Sequence, residues 1–224
     1  MNLNKHLEFI EPTTYKKPIH VIGVGAVGSR IVELLVRLGF ENIRIYDFDT
    51  VEDVNITNQL YTSMDIGVDK EDALIRHMME INPKIKIKAL GKYTDQTLSG
   101  AVFLAVDSIE LRHKIVQDNM HNENIDIFLD GRMNLTDAQH FAANWSYQRQ
   151  RTMFINTMKF KDDEVQTKMS VCGTSLSVAT TVMTLASYTV SNFIRFLKNQ
   201  PIANQIFLDT FMFEQENMVT ADIL

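Results

Sequence analysis

Hydrophobic and polar positions along this chain fall into short blocks whose period alternates between strand and helix. Pro18-Ile-His-Val-Ile22 is a short apolar run that ends in glycines, the mark of a buried parallel strand. From Ser29 to Leu38 the apolar residues Ile31, Val32, Leu34, Leu35 and Leu38 recur with helical spacing, and Gly39 closes that helix. Asn42-Ile-Arg-Ile-Tyr46 predicts a second strand leading into the acidic Asp47-Phe48-Asp49. A helix is expected from about Asp69 to Met79, stopping before Asn82-Pro83. Ile85 to Leu90 alternates strictly, as an edge or one-side-exposed strand does, and Ala101 to Val106 is a wholly apolar strand that ends at Asp107. Glu110 to Met120 reads as a helix, and Ile125 to Leu129 as a strand running into Asp130-Gly131.

This β-α-β-α-β spacing predicts an α/β fold: a Rossmann-like, doubly wound, mostly parallel sheet with helices on both faces. Beyond residue 131 the pattern changes. Gln139–Tyr147 and Thr152–Phe160 are expected to be antiparallel strands, followed by a long uncharged helix at about 174–198 and a short apolar strand at Ile206–Phe213. The expected organisation is one domain over 1–224, with a nucleotide-binding half at 18–132 and an antiparallel extension with a late helix at 133–224.

Composition narrows the function classes. A formal charge of −6 gives no general attraction to nucleic acid or to an acidic membrane. The single cysteine, Cys172, allows no internal disulfide and no cysteine-built zinc site. The N-terminal segment has no apolar core of the kind a secretory signal needs, and a cytoplasmic location is expected. Thr174 to Ile194 carries no charge over about a membrane-spanning length. It is rich in Ser and Thr, however, and reads as a helix buried between protein layers. Its uncharged surface leads to the expectation of a homodimer.

Gly23-Val-Gly25-Ala-Val-Gly28 has the GxGxxG spacing directly after a strand and at the opening of a helix. The first glycine turns the chain, the second admits a phosphate to the backbone, and the third lets helix pack on strand. The helix N-terminus then offers free N–H groups to an anionic oxygen. Asp47, at the end of the second strand, stands where such folds place a ribose-binding carboxylate. These features fit NAD and ATP equally, so a dehydrogenase and an adenylating enzyme both remain open at this point.

Further residues extend the pattern. Asp47-Phe-Asp49-Thr-Val51 is followed by Asn55-Ile-Thr-Asn58-Gln59, then Gly67-Val-Asp-Lys70, then Asp107-Ser-Ile-Glu-Leu-Arg112. In order and spacing, over residues ~18 to ~132, this series resembles the ThiF/MoeB/HesA family of ubiquitin-like-protein activating enzymes. That family's pattern reads DxDxV, NxxRQ, GxxK and a later Asp-(Asn/Ser) with an Arg five residues on. The resemblance implies ATP-dependent adenylation of the C-terminal carboxylate of a small ubiquitin-like or sulfur-carrier protein ending in Gly-Gly. It implies phosphates lined by Gly23, Gly25 and Gly28, a ribose held by Asp47, triphosphate contacts from Asn55 and Lys70, and Mg²⁺ on Asp107. Arg112 reads equally as a phosphate contact or as a helix salt-bridge partner. Attack of a carboxylate on an α-phosphorus brings two anions together, so donors and a magnesium around the phosphates supply what the reaction needs. No general base is required, because the attacking carboxylate is already ionised at neutral pH.

The chain also departs from that pattern. Asn58 stands where the family has arginine, and an amide donates hydrogen bonds without neutralising charge. The family's arginine-rich N-terminal segment is replaced by one whose lysines are Lys5, Lys16 and Lys17, and the paired CxxC zinc motifs of many relatives are absent. Adenylation is therefore slowed, supplied with cations by another chain, or lost, and the last outcome would leave a nucleotide-binding pseudoenzyme or interaction module. Cys172, in Ser170-Val-Cys172-Gly173-Thr174, has two readings: an acceptor of the activated carboxyl as a thioester, or a small buried apolar residue.

Overall fold

A computed structural model describes residues 1–161 and 176–219. Its centre is one eight-stranded sheet in the order β3-β2-β1-β4-β5-β6-β7-β8. The strands are β1 (Ile19–Ile22), β2 (Ile43–Tyr46), β3 (Ile87–Ala89), β4 (Gly100–Leu104), β5 (Ile125–Asn134), β6 (Asp137–Asn144), β7 (Gln205–Asp209) and β8 (Glu214–Met218). From β3 through β5 all pairings are parallel; from β5 through β8 they are antiparallel.

Helices cover both faces, as the alternating pattern requires. α1 (Ala26–Leu38), α2 (Lys70–Ile81) and α5 (Ala179–Leu197) close over one face with Ile19, Val21, Ile45, Phe103 and Leu129. α3 (Ile109–Asp118) and α4 (Gln148–Asn156) close over the other with Ile22, Val102, Leu104 and Phe128. Val21 and Ile22 thus point to opposite cores, which is why β1 reads as unbroken apolar sequence rather than as alternation. Phe193 of α5 is fully buried and meets Tyr15, Phe40 and Phe103 at ring-centroid distances of 5.4–5.5 Å.

Three expectations are corrected. Thr152–Phe160 is not a strand: α4 occupies Gln148–Asn156, burying Gln150 and Phe154 one turn apart. Ile206–Phe213 is not one strand but β7 plus a turn that leads into β8. The turn forms because Asp209 accepts hydrogen bonds from the N–H groups of Phe211 (2.9 Å) and Met212 (3.0 Å), and Phe213 takes a left-handed φ of 60°. The late helix starts at Ala179, and one side of it is buried in the chain's own core through Val182, Leu185, Ala186, Val190 and Phe193. Its opposite side, with Met183 and Arg195, faces outward. Among the described residues no helix is long and apolar enough to cross a membrane.

Candidate functional site

Chain order and spatial order part company at β1. Its C-terminal end lies between β2, reached through α1, and β4, reached by the crossover from β3. Ligands of open α/β sheets sit in the crevice that such a reversal opens. The glycine loop leaves β1 there. Gly23 has φ 87°, and a Cβ on it would come within 2.7 Å of the Ala105 carbonyl oxygen. A Cβ on Gly28 would lie 2.9 Å from the Gly23 carbonyl carbon and 3.2 Å from the Ala105 Cβ, so α1 packs as closely as it does only without one. Gly25 differs: the nearest heavy atom to its missing Cβ is Nε2 of Gln59, at 3.9 Å. Its open face is room that an incoming group can use.

Of the predicted residues, Asp47 is bonded to that loop and Asp107 follows the segment packed against it. Asp47 receives the Val24 N–H at 2.8 Å, together with the N–H groups of Phe48 (2.9 Å) and Asp49 (3.0 Å), so its carboxylate is fixed against the loop. Tyr61 reinforces the same turn by donating to the Val24 carbonyl at 2.7 Å, and its burial holds the phenol protonated well above the usual range. Asp107 is exposed three residues beyond the end of β4, where Ala105 and Val106 abut Gly23.

Asn55 and Lys70 line an adjoining cleft of about 390 Å³ with Phe48, Asp49, Thr50 and Glu52. Lys70 is the first residue of α2; its backbone N–H donates to the Asp49 carbonyl and its Nζ to the Asp49 carboxylate, both at 2.9 Å. The ammonium is buried while the Asp49 side chain is 52% exposed, so the pair holds a cation at the cleft wall. Asn55 accepts the Glu52 N–H at 2.9 Å, as part of a capping box on the short 3-10 turn Asp53–Thr57. Asn58 ends that turn and donates from Nδ2 to the Ser177 hydroxyl.

Arg112 takes the second of its two readings, an ion-pair partner on α3, with its carboxylate supplied by β5. It is buried and donates to Asp130, to the Gly131 carbonyl at 3.2 Å and to the Val106 carbonyl. Asp130, fully buried, also receives Arg132 Nε at 2.7 Å. Arg132 in turn donates to the Thr157 carbonyl at 2.7 Å and lies over the Phe141 ring at 4.3 Å; burial brings its pKa down to about 10. Both arginines therefore brace the ends of β4 and β5. Cys172 lies outside the described residues.

Sequence reading also passed over Glu71. Its half-buried carboxylate accepts from the N–H groups of Asp47 (3.3 Å), Leu90 (3.1 Å) and Gly91 (3.0 Å), tying the ends of β2 and β3 together. Burial raises its pKa, against the pull of those hydrogen bonds. Asp65 does comparable work for the loop leading to α2. It is fully buried and holds Thr62 N–H at 2.6 Å, the Thr62 hydroxyl at 2.9 Å, His77 at 2.8 Å and Arg76.

Comparison with known proteins agrees with this geometry. A ubiquitin-like modifier-activating enzyme 5 of Arabidopsis thaliana is 34% identical over 71 residues, 32% of this chain and 16% of that protein. The corresponding enzyme of Drosophila willistoni is 35% identical over 88 residues, 39% of this chain and 21% of that protein. The aligned part is thus about a fifth of the length of those relatives. Among solved structures, E. coli MccB with MccA-N7isoASN superposes with a TM-score of 0.72 at 13% identity, over 92% of this chain and 65% of that one. E. coli MccB with ATP gives 0.67 at 14% identity, over 92% and 64%. PaaA gives 0.65 at 16% identity, over 92% and 64%. These likenesses establish the fold. The ThiF family profile matches residues 14–221, nearly the whole chain, and the chain belongs to the ThiF family.

Proposed function

We propose that this chain binds ATP in the crevice at the ends of β1, β2 and β4 and adenylates the C-terminal carboxylate of a small ubiquitin-like or sulfur-carrier protein. The observation that carries the reading is the open face of Gly25, next in the chain to Val24, whose N–H is bonded to the Asp47 carboxylate. In the proposed reaction a carboxylate oxygen of the partner attacks the α-phosphorus. The new C–O–P linkage forms as the bond from the α-phosphorus to the bridging oxygen breaks, and pyrophosphate leaves with the electron pair. No proton moves.

On this reading backbone N–H groups of the glycine loop and the N-terminal end of α1 take phosphate oxygens, and Asp47 accepts from ribose hydroxyls. Lys70, oriented by Asp49, and Asn55 face the triphosphate. Mg²⁺ offsets phosphate charge when bound, and Asp107 would hold it. The donor chemistry fits, because Asp107 is an exposed carboxylate, a hard oxygen ligand. Mg²⁺ is commonly held by one or two carboxylates together with phosphates and waters. Transfer of the acyl group to Cys172 belongs to the same proposal: the thiolate attacks the acyl carbon and AMP departs. So does a homodimer, with the outward side of α5 at Met183 available to a second copy.

The test is pyrophosphate exchange into ATP with candidate partners ending in Gly-Gly, alongside thermal melts with ATP and with NAD. Exchange that depends on such a partner, with stabilisation by ATP but not NAD, is the expected result. Absence of exchange despite ATP binding favours the second reading, a nucleotide-binding interaction module. The observation on that side is Asn58, which brings no charge and donates its amide to Ser177.

A further inference from the structure

Two buried polar atoms beside the glycine loop, Arg30 Nε and Gln59 Oε1, have no hydrogen-bond partner among the described residues. Such atoms are uncommon in folded proteins and cost free energy while they stay unpaired. Here they occur on adjoining side chains: Arg30, in the second turn of α1, donates from Nη2 to the Gln59 carbonyl at 3.1 Å. Gln59 directs its carboxamide to the open face of Gly25, with Nε2 at 3.9 Å from the place a Cβ would take. Ser29 fastens the same loop by accepting the Leu60 N–H at 3.3 Å.

The charge of Arg30 is only partly balanced. Its Nη1 donates to Glu33 at 3.1 Å, but Glu33 also receives Arg37 Nε at 2.9 Å, so one carboxylate serves two guanidinium groups. Among the described residues Arg112 and Arg132 are engaged on Asp130 and Lys70 on Asp49, while Lys92 lies at 4.8 Å over the ring of Phe48, which lines the cleft. Asp47, Asp49 and Glu52 meanwhile bring carboxylates to the loop and the cleft, a field that opposes the approach of a polyphosphate.

We infer that Arg30, with the Gln59 carboxamide beside it, is the phosphate-side cation of this chain and binds the polyphosphate of ATP next to Gly25. The inference rests on the ATP-binding reading above. It supplies from α1 the positive charge that Asn58 does not, and it gives the unpaired Arg30 Nε–H an anionic acceptor. A guanidinium suits the position because its fork keeps donors for phosphate while Nη2 stays on Gln59.

Titration calorimetry of the purified chain with ATP-Mg²⁺ and with AMP tests this. Arg30→Gln is expected to weaken ATP binding about 10- to 100-fold, the worth of one hydrogen bond to a charged group. AMP, lacking the outer phosphates, is expected to bind with little change, and Asn58→Arg added to Arg30→Gln should recover most of the ATP affinity. Equal losses for ATP and AMP would mean that Arg30 only anchors the loop, and that overturns the inference; so does unchanged ATP binding by Arg30→Gln. Should Arg30→Gln fail to fold, Asn58→Arg alone decides. With a cation already in place it should raise ATP affinity by less than about threefold, whereas a gain of tenfold or more marks a site without one. A wild-type chain that binds neither ATP nor AMP overturns the ATP-binding reading itself; one that binds ATP normally yet is indifferent to residue 30 overturns only the role of Arg30.

Discussion

Alanine at Gly25 and alanine at Gly28 should separate binding from folding, although the two positions are three residues apart. At Gly25 the added methyl meets nothing nearer than Gln59 Nε2 at 3.9 Å, so the protein has no atom to move. On the proposed reading the methyl takes the face meant for phosphate and holds the oxygens off the loop N–H groups. Loss of one or two hydrogen bonds to a charged ligand, at about 1.5–3 kcal/mol each, corresponds to at least about a tenfold loss of ATP affinity. At Gly28 the methyl would overlap the Gly23 carbonyl oxygen and lie 2.9 Å from its carbon and 3.2 Å from Ala105 Cβ, all in the rigid contact between α1 and the ends of β1 and β4. Overpacking of a well-filled contact costs about 1–3 kcal/mol, and in a domain of this size each kcal/mol lowers the Tm by about 2–4 °C. Circular-dichroism melts of both variants, each with and without ATP-Mg²⁺, give the two readouts together. The expected pattern is a Gly25→Ala protein that melts like wild type and gains little from ATP, and a Gly28→Ala protein that melts several degrees lower. Full stabilisation of Gly25→Ala by ATP would refute the assignment of that face to phosphate, and a wild-type Tm for Gly28→Ala would refute the close packing.

Asp107→Ala, at an exposed position, should leave the Tm of the free protein unchanged and abolish stabilisation by ATP-Mg²⁺; persistence of that stabilisation removes Asp107 from the site. Asp130→Ala leaves Arg112 and Arg132 buried without their carboxylate, and urea unfolding should show a loss of about 3–5 kcal/mol, against almost none if the triad is dispensable. Stability should also fall with acid. Burial lowers the pKa of His140 to about 3, and burial together with Arg44 lowers that of His20 to about 4, whereas an unfolded histidine takes its proton near 6.5. The unfolded state therefore binds the extra protons, and this contribution, complete above pH 6.5, is lost as the pH falls toward 4 and then 3, at up to about 1.4 kcal/mol per pH unit for each histidine. The structural reason at His140 is that Nε2 accepts from Asn192 Nδ2 at 2.9 Å, a contact that a protonated ring would turn into donor against donor. Urea midpoints between pH 7.5 and 4.5 should show the fall, and His140→Gln should make it shallower; parallel profiles would exclude this histidine as a source.

The parallel half of the fold was legible because each of its elements declares itself locally. β1 and β4 are apolar on both sides since both of their faces are covered, and α1 carries its apolar stripe at Ile31, Val32 and Leu35. The antiparallel half was harder to read because its registers join distant segments, as Ala138 of β6 does with Leu208 of β7. α4 buries only Gln150 and Phe154, too thin a stripe to stand out as helical. The run ending in Phe211, Met212 and Phe213 looks like strand by composition, yet those side chains are exposed on a turn. Asp209, placed to accept from the next N–H groups, was the signal that went unread.

Site residues divide along the same line. In a parallel sheet every strand ends on the same edge, so a polar residue just past an apolar run must lie at that edge whatever its neighbours are. Gly23, Asp47 and Asp107 each follow such a run: Asp47 bonds to the residue after Gly23, and the chain just before Asp107 packs against Gly23, although 84 positions separate the first from the last. Partners within the site obey no such rule. Arg112 finds Asp130 18 residues on, and Arg30 finds Gln59 29 residues on, because α3 and the loop before α2 fold back onto the sheet. Asn58 shows the consequence. Its identity as a missing cation is plain in sequence, but whether the charge is truly missing depends on which other cations the fold brings near. The structure gives Arg112 and Arg132 the buried Asp130 and Lys70 the Asp49 carboxylate, whereas Arg30 shares Glu33 with Arg37 and keeps an unpaired Nε beside the loop. Spacing along the chain cannot supply that ordering, because it is a property of the packed helices.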